Sequence, residues 1–309
     1  MTAPLCVLGD FAWDILIHTG TELLRGGDSF GEVTLSPGGS AANVAVWARR
    51  CGCVTQFVGA IGRDRLGLLA RENLATEHVQ AHLIETGARP TGSVAVFVDH
   101  TGERSMVSGR GADFHLLPEE LPAEVIRRAG HLHLTAWSFF TDPPRAAALA
   151  AARMARAAGA TLSFDPASFQ MIAQLGVEPF RAIMRDLAPD ILLPNLEEGR
   201  VLTGLDDPPA IAARLSAWHP GALILLKRAA DGALIHDRGV VTPIPAVGST
   251  LVDATGAGDS FAGAFLAHHL RHRDAAAAAR FATRIAAWVI ERPGARPDPD
   301  ARLLSLLSG

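Results

Sequence analysis

The chain has 309 residues, 49% of them hydrophobic and 19% charged, with a formal net charge of −4. That composition supplies a large buried core and excludes a disordered chain. No Lys/Arg run or basic stripe occurs, which argues against nucleic acid as a partner, and the longest apolar runs, such as 222–226, are strand-sized and not membrane-sized.

In chain order, short apolar runs bounded by Gly, Pro or Asp at 5–8, 57–61, 131–135, 161–164, 191–193 and 222–226 predict buried strands. Helix-like stretches lie between and after them, at 43–50, 66–75, 145–158, 210–217, 257–269 and 275–290. The Ala-rich third of these follows Pro143-Pro144 and stops at Gly159. This alternation predicts an α/β fold, a doubly wound and mostly parallel sheet covered on both faces. Two regions break the pattern. Residues 15–35 end in Ser36-Pro37-Gly38-Gly39, and 91–108 read as two alternating strands, 93–98 and 104–107, joined by a turn at Asp99-His100-Thr101-Gly102. Together they predict a small β-subdomain, about 15–37 and 91–110, inserted into a single domain spanning 1–309. The tail 292–300 holds three prolines and reads as irregular surface. The start, MTAPLCVLGDFAWDIL, has neither a basic region nor a long apolar stretch, so no secretion signal is expected. Cys6, Cys51 and Cys53 are odd in number, and Cys51-Gly52-Cys53 is too tight for a zinc pair. They read as reduced thiols of a cytoplasmic protein.

The sharpest chemical signal is Asp253-Ala254-Thr255-Gly256-Ala257-Gly258-Asp259-Ser260-Phe261, which leads into the apolar stretch 262–270. Gly256, Ala257 and Gly258 sit where a loop becomes a helix N-terminus, whose free N–H groups and dipole form an anion site. Glycine there lets the backbone approach a phosphate closely. Asp259 falls in the first turn beside that anion. An acid next to a phosphate site suits a base that takes a hydroxyl proton as phosphate is transferred better than it suits binding. The bland reading, an Asp stabilising its own helix, accounts for neither the flanking glycines nor Asp253.

The segment DATGAGDSFAGAF resembles the C-terminal signature of the ribokinase-like (PfkB) carbohydrate kinases. Gly38-Gly39-Ser40-Ala41-Ala42-Asn43-Val44-Ala45 and Gly59-Ala60-Ile61-Gly62-Arg63-Asp64-Arg65-Leu66-Gly67 resemble that family's Gly-Gly…Asn and Gly-x-x-Gly-x-Asp-x-x-Gly elements, and Asn195-Leu196-Glu197-Glu198 its Asn-x-x-Glu element. The matches come in the family's order and span nearly the whole chain. The resemblance implies a ribokinase-like fold whose β-subdomain covers the sugar as a lid. It implies an ATP-dependent kinase of a sugar of the ribose, fructose or 2-keto-3-deoxygluconate type, with a nucleoside kinase of the same fold as the alternative. Asp259 would be the catalytic base and Gly256, Ala257 and Gly258 the anion hole.

The other elements carry a second reading beside the implied one. Gly38 and Gly39 permit close approach of a sugar, and Asn43 offers donor and acceptor to hydroxyls; a Gly turn with Asn43 capping the next helix is equal on spacing alone. The resemblance tips these residues to substrate binding. Asp14 lies where the family binds paired sugar hydroxyls, and a carboxylate, being acceptor-only, suits two hydroxyl donors. Asn195 and Glu198 are implied to organise the nucleotide and Mg²⁺, the latter partly through water, and also fit a helix cap. Residues 227–232 fall where the family cradles ATP, but the usual Gly soon after the strand is replaced by Lys227-Arg228-Ala229-Ala230. Lys227 meeting phosphate and Lys227 facing solvent are equal readings there. Gly232 and Thr283 complete the ATP-binding set. Asp253 and Thr255, with carbonyls near Gly294-Ala295, resemble a monovalent-cation site for K⁺. The family's lids often pair between subunits, which adds a homodimer through the lid to the expectations.

Competing chemistry is thin. There is no Gly-x-x-x-x-Gly-Lys-Ser/Thr, and no Gly-x-Gly-x-x-Gly follows the first strand. Gly27-Asp28-Ser29-Phe30-Gly31 fits the hydrolase elbow Gly-x-Ser-x-Gly, but 22–25 precede it and the alternating Glu32-Val33-Thr34-Leu35 follows, where a buried strand and a helix are needed. A non-catalytic sugar-binding protein of the same fold would not need Asp259. His131-x-His133 is read as pointing to opposite faces of a strand and His268-His269 as adjacent on a helix, so neither pair has metal-ligand spacing. Asp165-Pro166-Ala167 resembles the Asp-Pro-Asn of ketosugar kinases without the Asn or a following Arg, which leaves the sugar open. Few basic residues near the proposed pocket argue against a phosphorylated acceptor, with Arg104 and Arg110 of the lid on the other side of the balance.

Overall fold

The computed structural model describes residues 3–19, 26–98 and 104–308. The turn expected at 99–102, and residues 22–25 ahead of the hydrolase-like match, lie outside the described residues. The chain runs β1 (Leu5–Leu8), β2 (Ala12–Thr19), β3 (Gly31–Pro37), α1 (Ser40–Arg50), β4 (Thr55–Gly62), α2 (Arg65–Thr76) and β5 (Gln80–Thr86). Next come β6 (Gly92–Val98), β7 (Arg104–Gly109), α3 (Ala123–Arg128), β8 (His131–Thr135), α4 (Pro144–Ala157), β9 (Thr161–Asp165), α5 (Phe169–Leu175) and α6 (Val177–Leu187). The last third holds β10 (Ile191–Leu192), α7 (Leu196–Thr203), α8 (Pro208–Trp218), β11 (Leu223–Lys227), β12 (Ala233–Asp237), β13 (Val240–Ile244), α9 (Ala257–His272), α10 (Ala275–Ile290) and α11 (Ala301–Ser308).

Local chemistry sets several of these boundaries. Asp64 caps α2 by accepting the Gly67 N–H at 2.7 Å, and Asp274 caps α10 by accepting the Ala277 N–H at 2.9 Å. Helix α4 starts on Pro144 and buries an alanine stripe, Ala147, Ala148, Ala151, Ala152 and Ala155. Its small side chains let the helix lie close on the sheet.

The larger sheet has nine strands in the order β13-β12-β11-β10-β9-β8-β1-β4-β5. All neighbours pair in parallel except β11–β12 and β12–β13. Apolar cores fill both faces: Val7, Leu193 and Leu225 point to the side of α1, α9 and α10, while Leu8, Leu134 and Phe164 point to the side of α4 and α6. The doubly wound reading therefore holds. After β1 the chain first extends the sheet through β4 and β5, then returns to build outward from β8. The carboxyl ends beside β1 form the crevice that such a reversal opens, where α/β folds bind ligands. Asp10 follows β1, Asp165 ends β9, Asn195 follows β10 and Lys227 ends β11.

A second sheet of four strands, ordered β3-β2-β6-β7, covers that crevice. Strand β2 pairs with β6 in parallel, and β3 and β7 flank them antiparallel. One face carries Asp14, Val94, Val96, Met106 and Ser108 into the cavity beneath. Ser29 precedes the exposed strand β3 with no helix behind it, so the nucleophile-elbow geometry is not formed.

Three readings of the sequence are corrected. His131 and His133 share a face, as residues two apart in a strand must, and both reach the Ser163 hydroxyl, through Nε2 at 2.8 Å and Nδ1 at 2.7 Å. They form a buried polar row, and burial lowers the pKa of each. Strands β5, β12 and β13 and helices α5 and α6 were not read as elements. β5 and β13 lie at the sheet edges without a continuous apolar run, and Pro243 sits in β13, where an edge strand tolerates it. The tail after α10 is irregular but not all surface: Ala295 and Arg296 are buried.

Candidate active site

A cavity of about 720 Å³ lies between the carboxyl ends of the large sheet, the start of α9 and the second sheet. Asp14, Gly39, Asn43, Asn195, Glu198, Lys227, Thr255, Gly256, Gly258 and Asp259 all line it, although they come from most of the chain's length. Gly38, Gly232, Asp253, Ala257 and Thr283 do not. Gly232 closes the turn into β12, where a Cβ would meet the Ile244 carbonyl oxygen at 2.2 Å, and Thr283 donates its hydroxyl to Ala279 O inside α10.

Helix α9 begins at Ala257 because the chain turns sharply at Gly256. Its φ of +75° is in the left-handed region, and a Cβ there would lie 2.7 Å from Ala295. The turn puts Gly258 and Asp259 on the cavity wall in the first turn of α9, where their N–H groups have no carbonyl of their own helix to bond; the Ala257 N–H, expected to share the anion hole, is taken by the Ala254 carbonyl at 3.2 Å. Asp259 sits in that turn. Its Oδ1 accepts a hydrogen bond from Ser40 Oγ and its Oδ2 from Asn43 Nδ2, both at 2.8 Å. Burial pushes its pKa up to about 7; the two hydrogen bonds oppose that shift and the nearby Asp165 and Asp10 add to it. A carboxyl poised near neutrality, with both oxygens aimed by donors, is equipped to accept a proton.

Lys227 was read as equally suited to phosphate or solvent. The structure buries it, with Nζ 2.6 Å from Asp165 Oδ2. The same Nζ would be 3.5 Å from a Cβ placed on Gly258, so this cation stands beside the N-terminal end of α9. Burial lowers its pKa, but Asp165 and Glu198 outweigh that and hold it raised and charged. Asn195 and Glu198 form a full capping box at α7: Asn195 Oδ1 accepts the Glu198 N–H at 2.8 Å, and Glu198 accepts from the Asn195 N–H and Nδ2 at 2.8 and 2.7 Å. Glu198 is buried with a pKa raised to about 7, by burial first and by Asp165 next.

At the opposite end, Gly38 lets the backbone lie directly on Asp14; a Cβ there would be 2.4 Å from Asp14 Oδ2. Burial raises the Asp14 pKa to about 6, against the pull of Arg296. Three site residues escaped the sequence. Asp10 accepts from the Ser40 and Ala41 N–H groups at 2.8 and 3.1 Å and so anchors the start of α1. Ser40 orients Asp259. Asp113 lines the cavity with its pKa raised to about 8, by burial and by Asp10. Asp10 carried a weak signal, an acid at the end of the first strand; Ser40 and Asp113 carried none. Asp253 ties two loops together, with Oδ1 accepting from the Thr255 N–H at 2.7 Å and Oδ2 from the Gly294 N–H at 2.8 Å. Among the described residues no group of three or more His, Cys, Asp or Glu side chains could hold a metal ion.

Comparison with known proteins agrees with this geometry. Residues 6–302 match the model of the pfkB family carbohydrate kinases. The chain is 33% identical over 277 residues to a fructokinase of Klebsiella pneumoniae, covering 88% of this chain and 86% of that one. It is 31% identical over 301 residues to the ATP-dependent ribose-1-phosphate kinase of Halopiger xanaduensis, covering 95% and 94%. Among solved structures, an Arabidopsis thaliana ribokinase complexed with ribose and ATP superposes with a TM-score of 0.83 at 25% identity, over 100% of each chain.

Proposed function

Because the chain belongs to the pfkB family of carbohydrate kinases and is an ATP-dependent sugar kinase, we propose that it phosphorylates an uncharged sugar, with Asp259 as the base. The observation that carries this reading is the placement of Asp259, held by Ser40 and Asn43, at the N-terminus of α9 and in one cavity with Asp14. ATP would lie with its terminal phosphate on the first-turn N–H groups of α9 and near Lys227. The acceptor hydroxyl would lie between Asp259 and that phosphate, its proton passing to an Asp259 oxygen as the phosphoryl group is transferred. The second sheet, as a lid over the acceptor, would exclude the water that otherwise competes for the phosphate.

Mg²⁺, when bound with the nucleotide, neutralises charge on the transferring phosphoryl group. Glu198 would serve that ion in an outer role, through water, since each of its oxygens is already held by a hydrogen bond from Asn195. K⁺ would be held by oxygens of the loops that Asp253 ties together, hard ligands of the kind such an ion takes. Exposed Val33, Leu35 and Val107, on the face of the second sheet turned away from the cavity, support pairing of two lids. Three free thiols suit a reducing, cytoplasmic compartment.

The acceptor's charge follows from its surroundings. Asp10, Asp14 and Asp113 line the acceptor end; of the cations that line the cavity, Lys227 is committed to Asp165 and Arg110 is exposed. A phosphate on the acceptor would face carboxylates, so free sugars of the fructose or ribose type are preferred over their phosphates. A panel of free sugars, sugar phosphates and nucleosides assayed for ADP release tests this. Turnover of a free ketose or pentose is expected, and higher kcat/KM for a sugar phosphate or a nucleoside would reject the reading.

Asp14→Ala should raise the sugar KM about ten- to a hundredfold and leave the ATP KM nearly unchanged, since a lost charged hydrogen bond to a buried hydroxyl is worth roughly 1.5–3 kcal/mol. Both KM values are measured at saturating Mg²⁺, followed by a Mg²⁺ titration. A shift confined to ATP or Mg²⁺ would move Asp14 from the sugar to the nucleotide.

A further inference from the structure

Arg296 belongs to the irregular segment between α10 and α11, yet only 8% of it is exposed. Its guanidinium bonds three segments at once. Nε donates to Asn43 Oδ1 at 2.6 Å, one terminal nitrogen to the Gly38 carbonyl at 2.8 Å, and the other to Asn73 Oδ1 at 2.9 Å. Its charge centre lies 5.5 Å from the Phe11 ring. The tail that carries it is pinned on both sides, by Asp253 on the Gly294 N–H and Trp47 Nε1 donating to the Ala295 carbonyl at 2.9 Å before it, and by Arg50 donating to the Pro297 carbonyl at 2.8 Å after it.

We infer that Arg296 is a positioning residue: it fixes the Asn43 amide in the one orientation that serves Asp259, and it holds the Gly38 backbone against Asp14. The argument is one of donors and acceptors. An Asn amide presents nearly the same shape when turned over, so packing alone does not choose its orientation. A guanidinium has only donors. Facing Arg296, Asn43 must offer Oδ1, and its Nδ2 then points at Asp259 Oδ2, where it is found at 2.8 Å. With no donor at position 296, the Asn43 carbonyl is free to turn toward Asp259, where two acceptors would oppose each other and the carboxylate would lose one of its two orienting bonds. The second terminal nitrogen acts the same way on Gly38, whose carbonyl it anchors while the Gly38 Cα lies on Asp14.

Charge adds to this. The groups facing Asp259 are Asp10 after β1, Asp165 at the end of β9, Glu198 on α7, Lys227 at the end of β11 and Arg296 from the tail. Arg296 is thus a buried cation set among Glu77, Asp10, Asp14 and Asp259, with Arg50 opposing, and it stays charged although burial lowers its pKa to about 10. Removing it makes the neighbouring carboxylates harder to ionise.

This inference rests on Asp259 being the base, and the test separates the two. Arg296→Lys keeps the charge and loses the fork; Arg296→Met loses both. Each is followed by steady-state kinetics across pH together with the Tm. Arg296→Met should lower kcat about ten- to a hundredfold, the scale of a modest misplacement of reacting groups. It should also raise the sugar KM, spare the ATP KM, and move the rising limb of kcat/KM toward higher pH by about one unit. Arg296→Lys should keep the limb in place and recover part of kcat. An arginine that only supports the fold would lower Tm and the active fraction without moving the limb. An unmoved limb with near-normal kcat in Arg296→Met overturns the inference, as does loss of folding in both variants. Near-normal turnover by Asp259→Asn overturns the base reading and this inference together; an inactive Asp259→Asn beside an unaffected Arg296→Met overturns only this one.

Discussion

Asp259→Asn should lower kcat by about 10²–10⁴-fold, the usual cost of removing a general base, while sugar and ATP binding stay within a few-fold of the wild-type values. The substitution is close to isosteric, and the neighbours can accommodate it. The new amide oxygen can accept from Asn43 Nδ2, and the new NH₂ can donate to Ser40 Oγ, so both 2.8 Å contacts can be kept. Folding should not suffer, because the change removes a buried negative charge that sits near Asp10 and Asp165. What is lost is the ability to take a proton. The pH profile gives the second readout. The wild-type base works only when ionised, and its pKa is raised to about 7. Activity as kcat/KM should therefore be low well below pH 7, rise through about 7 and level off above it; in Asp259→Asn that limb should vanish. Turnover within a few-fold of wild type would remove Asp259 from the chemistry.

The site was legible in the sequence to the extent that its parts are contiguous. Gly256, Gly258 and Asp259 declare themselves because one short loop-to-helix segment carries both the glycines that open a helix N-terminus and the acid. The partners that hold Asp259 were not legible. Ser40 and Asn43 lie 219 and 216 positions away, and Arg296 lies 253 positions from Asn43. A lone Ser, or an Arg among prolines, carries no local signal, and only the closure of β1, α1 and the tail around α9 gives them roles. The fold was more legible than the site, since buried parallel strands such as β1, β8 and β11 are continuous apolar runs. Strands β5 and β13 lie on the sheet's edges and lack such runs. Lys227 shows the limit of residue-type reasoning: a basic residue after a strand faces solvent in most proteins, and here Asp165 at the end of β9 makes its burial affordable.

Gly258→Val should cut turnover by about 10²-fold or more in a protein that still folds, in keeping with the cost of disabling one preorganised donor of an oxyanion-type site. Folding should survive for three reasons. The Gly258 backbone lies outside the left-handed region; beyond its own helix and among the described residues, a Cβ there would meet only Lys227 Nζ within 4 Å, at an ordinary 3.5 Å; and valine is no worse a helix former than glycine. Gly256 makes the contrast: its φ of +75° and a 2.7 Å approach to Ala295 mean that a side chain there damages the backbone itself. At Gly258 the added methyl groups would instead occupy the space between the α9 N-terminus and Lys227, where the terminal phosphate of ATP is proposed to bind. The loss should appear in kcat and in the ATP KM, with the sugar KM less affected. Gly258→Ala, which adds one methyl, should fall between valine and wild type. Melting temperatures near wild type for both variants, together with graded loss of ADP release, are the expected result. A Val variant that is folded and turns over at the wild-type rate would mean that no phosphate approaches this helix end during catalysis, and the anion would have to be sought elsewhere in the cavity.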